Sequence, residues 1–533
     1  MSAFDYIIVG GGTAGCILAN RLTASGKYRV LMLEAGGEPK GFWIPIPAGF
    51  SKLLVDKRYN WRFKTQAEEN TRGREIAVPR GKGLGGSTLI NGMIYVRGQP
   101  GDYDAWEHSG AKGWNFATLK PYFKKIENYP QGDHRRGHDG PMHLEQVKER
   151  YPICDAFMLA AKQDGQPFNG DYNNDDEQTG FGYYQVAQRF GRRWSVVDGY
   201  LNPARRRPNL TIETHAHVLR LELKGARCTG ITYRQHGKEI TVNATQNVIL
   251  CAGAIQSPQI LELSGIGRPD VLEKVGITVK HRLDGVGENY IDHFATRMNW
   301  KLKNTITLNE MARGWRLGMA AVEYFTKRTG ILTLGTGLVH GFVKTQPSLP
   351  TPDVQYFVVH ASYANAAERI LDKHPGFTIG VSQLRPTSTG SIHIQSADPA
   401  VMPAIRPNFL SVEQDRTSLI EGMKIARRIM QQPAMRAFVE METGPGIDVQ
   451  TDEQWREFAQ TNGQTIYHPI ATCRMGEDAG AVVDSSLRVR GLTGLRVVDA
   501  SVIPSMISGN IQCAVMAVAE RGADLILGDA SLL

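Results

Sequence analysis

Three glycines near the start of the chain have the types and spacing to hold a phosphorylated ligand. Gly10, Gly12 and Gly15 stand in G-x-G-x-x-G order, directly after the apolar run Tyr6-Ile7-Ile8-Val9. A helical apolar pattern at Ala14, Ile17, Leu18 and Leu22 follows, then a second apolar run over 30–33 that ends at Glu34. Gly10 allows a tight turn, Gly12 leaves bare backbone for a pyrophosphate, and Gly15 lets the helix pack close to the strand. The helix N-terminus then faces the phosphate charge. Glu34 stands about 20 residues further on, where a carboxylate can accept the ribose hydroxyls of an adenosine. In strand–turn–helix–strand–acid order these residues read as a dinucleotide cradle, against the plainer reading of a Gly-rich turn.

Those residues need an α/β scaffold, and the bulk of the sequence allows one. The chain has 533 residues, 41% hydrophobic and 21% charged, an ordinary globular balance with enough length for more than one domain. A net charge of +8 is modest over that length, and the clusters Arg192-Arg193 and Arg205-Arg206-Arg207 read as solvated surface, so no nucleic-acid partner is expected. Cysteines at 16, 154, 228, 251, 473 and 513 are scattered without a C-x-x-C, which argues against a redox dithiol or zinc site. No metal is expected: His134, His138 and His143 form only a loose, solvent-facing loop group. No apolar run reaches the roughly 18 residues that span a bilayer, and Met1 to Asp5 leads straight into the first strand, so a cytoplasmic protein is expected. Residues 103–128 look helical, broken at Gly113-Trp114 and near Pro121. Strands are expected at 210–215, 218–223, 227–234, 239–242, 248–251, 354–360, 377–384, 391–395 and 495–500, with helices over 412–432 and 511–527. Nucleotide-type elements occupy both ends, so two interleaved domains fit better than two in series.

Two longer segments carry a family resemblance. The first runs from Gly81 through Gly85-Gly86-Ser87-Thr88-Leu89-Ile90-Asn91 to Tyr95, Arg97, Gly98 and Asp104. The second runs from Gly253 through Ser257-Pro258-Gln259 to Ser264-Gly265-Ile266-Gly267. Supporting stretches are Gly285-Val286-Gly287-Glu288-Asn289 with Asp292-His293, Tyr467-His468-Pro469, and Val498-Asp499-Ala500-Ser501. With the N-terminal fingerprint, these resemble the glucose–methanol–choline (GMC) flavoenzyme oxidoreductases, nearest the choline-dehydrogenase-like and sorbose-dehydrogenase-like branch. The resemblance covers about 4–527.

The resemblance implies an α/β (α+β) fold: a Rossmann-like FAD-binding domain interleaved with a substrate domain, whose mostly antiparallel sheet is backed by helices. The expected division is 1–155, 200–295 and 466–533 for the first and 156–199 and 296–465 for the second. The implied FAD contacts are Gly10, Gly12, Thr13, Ala14, Gly15, Glu34, Ala35, Gly85, Ser87, Asn91, Gly92, Ile94, Val218, Asp499, Ala500, Asn510 and Ile511. Small residues such as Gly85 to Thr88 can bring N–H groups and hydroxyls to a ligand without bulk in the way. Some members attach FAD through a His just before the Asn91 position; Ile90 stands there, so non-covalent FAD is expected.

The implied reaction is oxidation of an alcohol to an aldehyde or ketone. A base takes the hydroxyl proton while hydride leaves for flavin N5. His468 matches the family's catalytic His, and Pro469 restricts its backbone. Asn510 matches its partner, although Asn is also a common helix N-cap. The run Ile511-Gln512-Cys513 departs from the Pro or Thr many members carry there. His293 is expected as a structural pair with Asp292, His360 as a pocket candidate, and Cys473 and Met475 as packing. Partners are then a small-molecule alcohol and an electron acceptor (oxygen, quinone or carrier protein) that the sequence does not identify. The alternative is a hydroxynitrile-lyase-like enzyme that holds FAD without using its redox chemistry.

Overall fold

The structure, a computed structural model, describes residues 4–365 and 370–530. Two seven-stranded sheets dominate it. The first places Leu210–Thr214, Val30–Glu34, Phe4–Val9, Lys238–Leu250, Arg227–Gln235 and His217–Lys224 side by side, with Leu495–Val497 also paired to Lys238–Leu250. Val30–Glu34 is buried throughout and Phe4–Val9 over its last four residues, as continuous apolar runs covered on both faces should be.

The 13-residue strand Lys238–Leu250 replaces two expected strands and joins two kinds of sheet. Its first half pairs antiparallel with Arg227–Gln235, Gly230 opposite Asn243. Its buried second half runs parallel to Phe4–Val9 and to Leu495–Val497. Helices Thr13–Thr23 and Gln512–Ala530 pack against each other beside this sheet.

The second sheet is antiparallel throughout: Val439–Gly444, Phe294–Leu302, Gly376–Gln383, Val354–Val359, Val339–Val343 and Gly180–Tyr183, with Gln464–Thr465 paired to Phe294–Leu302. Helix Glu413–Met430 covers its back, close enough that a methyl on Gly422 would lie 2.9 Å from the Val381 side chain. Helix Pro152–Gln163 packs on the same layer, Phe157 meeting Phe377 at a ring separation of 5.4 Å.

The break at Gly113-Trp114 separates Pro100–His108 from Phe116–Ile126, but Pro121 does not break the second helix. The carbonyl that loses its partner belongs to Ala117, an exposed residue that water can satisfy. All six cysteines are buried and free. Among the described residues no helix is long and apolar enough to cross a membrane.

Candidate active site

One cavity lies between the two sheets. Its wall includes Gly10, Gly12, Thr13, Ala14, Glu34, Ala35 and Val218 from the first layer and Ala295, Phe357, Thr378 and Gly380 from the second. Two glycine turns meet on one side of it. Gly10 has φ +104°, and a methyl there would lie 2.5 Å from the Cys251 carbonyl. Gly86 has φ +52° and approaches Gly12 so closely that a methyl would lie 2.8 Å from the Gly12 Cα. Backbone therefore packs on backbone, with no side chain from either glycine between the turns.

Glu34 holds these turns in register. Its carboxylate accepts from Gly11 N at 2.8 Å, Gly36 N at 2.7 Å and Gly83 N at 3.0 Å. That leaves about one of its four acceptor positions for a ribose hydroxyl. Asp499 is likewise engaged: it accepts from Gly253 N (2.8 Å) and Ser257 Oγ (2.5 Å), and from Ser501 N (2.8 Å) and Ser501 Oγ (2.5 Å). It pins the start of helix Gly253–Leu263 at the cavity wall. Burial raises the Asp499 carboxyl above its ordinary range, against the pull of those hydrogen bonds.

The expected contacts Ser87, Asn91, Gly92, Ile94, Ala500, Asn510 and Ile511 also line the cavity; Gly15 and Gly85 do not. Gly15 serves packing, since a methyl there would lie 1.9 Å from the Gly10 carbonyl oxygen. Gly85 has φ +103° and donates its N–H to the Gly11 carbonyl at 2.7 Å, joining the two turns. Asn91 donates to Gln512 Oε1 at 2.5 Å and accepts from Arg193 at 2.7 Å. Buried Arg193 also donates to the carbonyls of Thr88 and Ile44. Gln512 and Cys513, the departure from the family pattern, thus tie the last helix to the 91–95 segment, the Cys513 thiol donating to Tyr95 Oη at 3.0 Å.

These residues fit FAD. At Gly12 and Gly253, both on the wall, an added Cβ would meet no protein atom nearer than 3.9 Å, so the missing side chains leave room for a ligand. Helices Thr13–Thr23 and Gln512–Ala530 both begin at the cavity, and the same cavity reaches the histidine end described next. Ile90, on the wall, has no atom that could bond a flavin covalently.

At that end His468 is held from three sides. Its backbone N–H donates to Asp292 Oδ1 at 2.7 Å. Its Nδ1 lies 3.0 Å from Nδ1 of His293, and its Nε2 lies 3.2 Å from Nδ2 of Asn510. The protons in this chain follow from its far end. His293 Nε2 lies 2.9 Å from the Leu384 carbonyl, which can only accept, so Nε2 carries hydrogen. Burial lowers the His293 pKa to about 4, so its ring is neutral near pH 7 and its Nδ1 accepts. His468 must then donate from Nδ1, which leaves a lone pair on Nε2 facing Asn510. Burial, followed by repulsion from His293 when protonated and from Arg80, holds the His468 pKa well below its ordinary value.

The expected Asp292–His293 pair is therefore two separate holds on His468. Asp292 also accepts from Tyr290 Oη at 2.8 Å and Thr465 Oγ1 at 2.5 Å, and burial raises its pKa to about 6. Tyr467, next to His468, has φ 75°, a strained setting for a residue with a side chain. Asn510 uses its amide on His468, and accepts from Gln355 Nε2 at 3.4 Å, rather than on a helix cap. The loop before it is fixed by Asp102, which accepts from Ser508 N and Oγ at 2.7 and 2.9 Å.

His360 is not on the cavity wall; it is buried and stacked on Tyr151 at 4.0 Å. Cys473 and Met475 are core residues, and among the described residues no group of His, Cys, Asp and Glu could hold a metal. His134 and His138 are exposed, while His143 is half-buried, edge-on to Trp194. Sequence reasoning missed Arg80, a wall residue whose Nε and Nη2 are buried and have no hydrogen-bond partner among the described residues.

Two family patterns described as GMC oxidoreductase match residues 4–295 and 386–519. The chain is 40% identical over 529 residues to an oxygen-dependent choline dehydrogenase of Vibrio vulnificus (strain YJ016), covering 98% of this chain and 94% of that one. It is 39% identical over 542 residues to the mitochondrial choline dehydrogenase of Homo sapiens, covering 99% and 90%. Among solved structures, pyridoxine 4-oxidase from Mesorbium loti superposes with a TM-score of 0.89 at 30% identity, covering 98% of each chain. Formate oxidase of Aspergillus oryzae RIB40 superposes with a TM-score of 0.92 at 27% identity, covering 99% of each. These relatives are dehydrogenases and oxidases and lend nothing to the lyase alternative.

Proposed function

Because the chain belongs to the GMC oxidoreductase family, and so is an FAD-dependent oxidoreductase acting on CH–OH donors, we propose that His468 is its catalytic base and Asn510 the partner that steadies the developing alkoxide. The chain of hydrogen bonds from the Leu384 carbonyl through His293 to His468 carries this reading, because it leaves the Nε2 lone pair turned toward Asn510. FAD, when bound, supplies the hydride acceptor. A substrate hydroxyl entering between the two side chains would donate to His468 Nε2 and accept from Asn510 Nδ2. His468 then takes the proton, and the Asn510 amide stabilises negative charge on oxygen as the carbinol hydrogen departs. The Leu384 carbonyl and His293 hold the neutral imidazole in this tautomer before the transfer, and His293 still accepts from Nδ1 once the ring carries both protons.

We propose the expected cofactor contacts for FAD, with Gly15 and Gly85 acting through packing, and with non-covalent attachment. The division of the chain into a cofactor part (1–155, 200–295, 466–533) and a substrate part (156–199, 296–465) is retained as a proposal. Acid precipitation should release the yellow colour into the supernatant.

The substrate is an uncharged or anionic alcohol rather than a quaternary ammonium one. Among the described wall residues the carboxylates are Glu34 and Asp499, both engaged as above, while Arg80 is cationic and has two nitrogens without a hydrogen-bond partner among the described residues. The Trp61 ring on this wall already has a cation of the chain itself beside it, Lys82 at 4.4 Å. Anaerobic titration of the holoenzyme with primary alcohols, polyols, aryl alcohols, hydroxy acids and choline tests the proposal. Loss of the flavin band near about 450 nm marks a substrate; a panel that never bleaches it contradicts the reading.

A further inference from the structure

Helix Gly314–Lys327 buries Ala320 and Tyr324 and presents an apolar face outward. Trp315, Met319, Val322 and Phe325 are 76%, 60%, 59% and 51% exposed. At 100° per residue they fall on one arc of about 120°, opposite the buried side. Two other segments extend the patch. Phe42 is exposed and lies 6.2 Å from the Phe325 ring. Phe190 is exposed at the tip of a hairpin whose Gly191 packs against the Arg328 backbone. Apolar side chains gathered on one helix face and continued by neighbouring segments mark an interaction site rather than scattered exposed residues.

Its rim is basic. The guanidinium of Arg316 lies 5.7 Å from the Trp315 ring, that of Arg328 5.8 Å from Phe325, and that of Arg189 5.2 Å from Phe190. With Arg192 and Lys327, none of these cations pairs with a carboxylate within 4.0 Å among the described residues. The acid on the helix, Glu323, turns back to accept from Thr329 Oγ1 at 2.8 Å. Aromatic and aliphatic side chains ringed by unpaired cations match the boundary of a negatively charged bilayer, where rings enter the headgroup layer and cations meet lipid phosphates. The same segment runs on through the turn Ile331–Thr333 to Thr336, a residue of the cavity wall.

We propose that the face built by Trp315, Met319, Val322, Phe325, Phe42 and Phe190 docks the enzyme on the surface of an anionic phospholipid bilayer. The holoenzyme is to be sedimented with vesicles of phosphatidylcholine alone and of phosphatidylcholine with phosphatidylglycerol. Binding is expected to the anionic vesicles, weaker to neutral ones, and weaker again in high salt. The variant carrying Trp315→Ser, Met319→Ser and Val322→Ser should lose at least about tenfold in vesicle partitioning. A second variant, Arg316→Glu with Lys327→Glu, should lose the preference for the anionic lipid. Both should keep the flavin spectrum and far-ultraviolet dichroism, which separates docking from folding. Absence of vesicle binding by the unaltered holoenzyme overturns the proposal. So does equal binding by the triple variant, or a dimer that dissolves with these substitutions while vesicles stay unbound.

Discussion

A single imidazole carries the proposed chemistry, and its protonation follows from a neighbour rather than from itself. His293, neutral by burial, accepts the Nδ1 proton of His468 and so assigns the basic nitrogen. Replacing His293 with Phe removes that acceptor. Flavin reduction should slow by about 10- to 10³-fold, and His293→Gln, whose carbonyl can accept, should recover part of the loss. The depressed pKa of His468 has a sign that can be checked. The unprotonated base persists as pH falls past 6.5, so the acidic limb of the reduction rate should lie below that value; a limb at or above it contradicts the assignment. His360 makes a separate stability case. Burial lowers its pKa from 6.5 to about 3, so the unfolded chain binds its proton first, and native stability from this site is complete above pH 6.5 and is lost as pH falls below it. His360→Phe should therefore raise the melting temperature, relative to the unaltered protein, more at pH 5 than at pH 7.5.

The elements that hold this residue were legible to different degrees. Strand and helix periodicity gave Phe4–Val9, Thr13–Thr23, Val30–Glu34 and the last helix, because local pattern decides them. Lys238–Leu250 was read as two strands because its exposed half and its buried half follow different patterns, one alternating and one continuous. Asn510 came as a partner of His468 from the family resemblance, but the hold of His293 was not legible: it lies 175 residues away in the chain, and only the antiparallel layer brings it alongside. The same holds for Arg193 and Gln512 around Asn91. Gly15→Ala should test the first helix as a cofactor support. Its methyl would meet the Gly10 carbonyl at 1.9 Å, so the turn must shift, and the purified protein should carry less flavin per chain. Deeper in the fold, Glu127 accepts from both Arg97 and Arg136, all three buried. Arg97 keeps Asp175 and Arg136 keeps Asp171, each at 2.7 Å, so Glu127→Gln removes only the shared central charge and should cost about 1.5–3 kcal/mol in denaturant unfolding.

At the scale of the whole molecule, the proposed cofactor residues belong mostly to the layer that opens and closes the chain, and the cavity's other wall to the antiparallel layer. His468 follows the short strand Gln464–Thr465 of the second sheet, whereas Asn510 precedes the helix packed beside the first, so the proposed base and its partner meet only when both layers are assembled. In the proposed reading, the charge of the cavity wall selects the substrate. Arg80 lines the cavity near His468, and the described wall carboxylates, Glu34 and Asp499, are engaged in other hydrogen bonds. Choline should therefore reduce the flavin more slowly than 3,3-dimethylbutan-1-ol, its uncharged isostere, in side-by-side anaerobic mixing; the opposite order would show that a cation subsite exists in this cavity. Family relatives named for choline share the scaffold with this chain, but a shared fold does not fix the alcohol.

The decisive measurement is rapid anaerobic mixing of His468→Ala holoenzyme with the best alcohol of the panel, read at the flavin band. Retained flavin with reduction slowed by about 10²- to 10⁴-fold is the expected result. Retained flavin with an unchanged rate would remove His468 as the base.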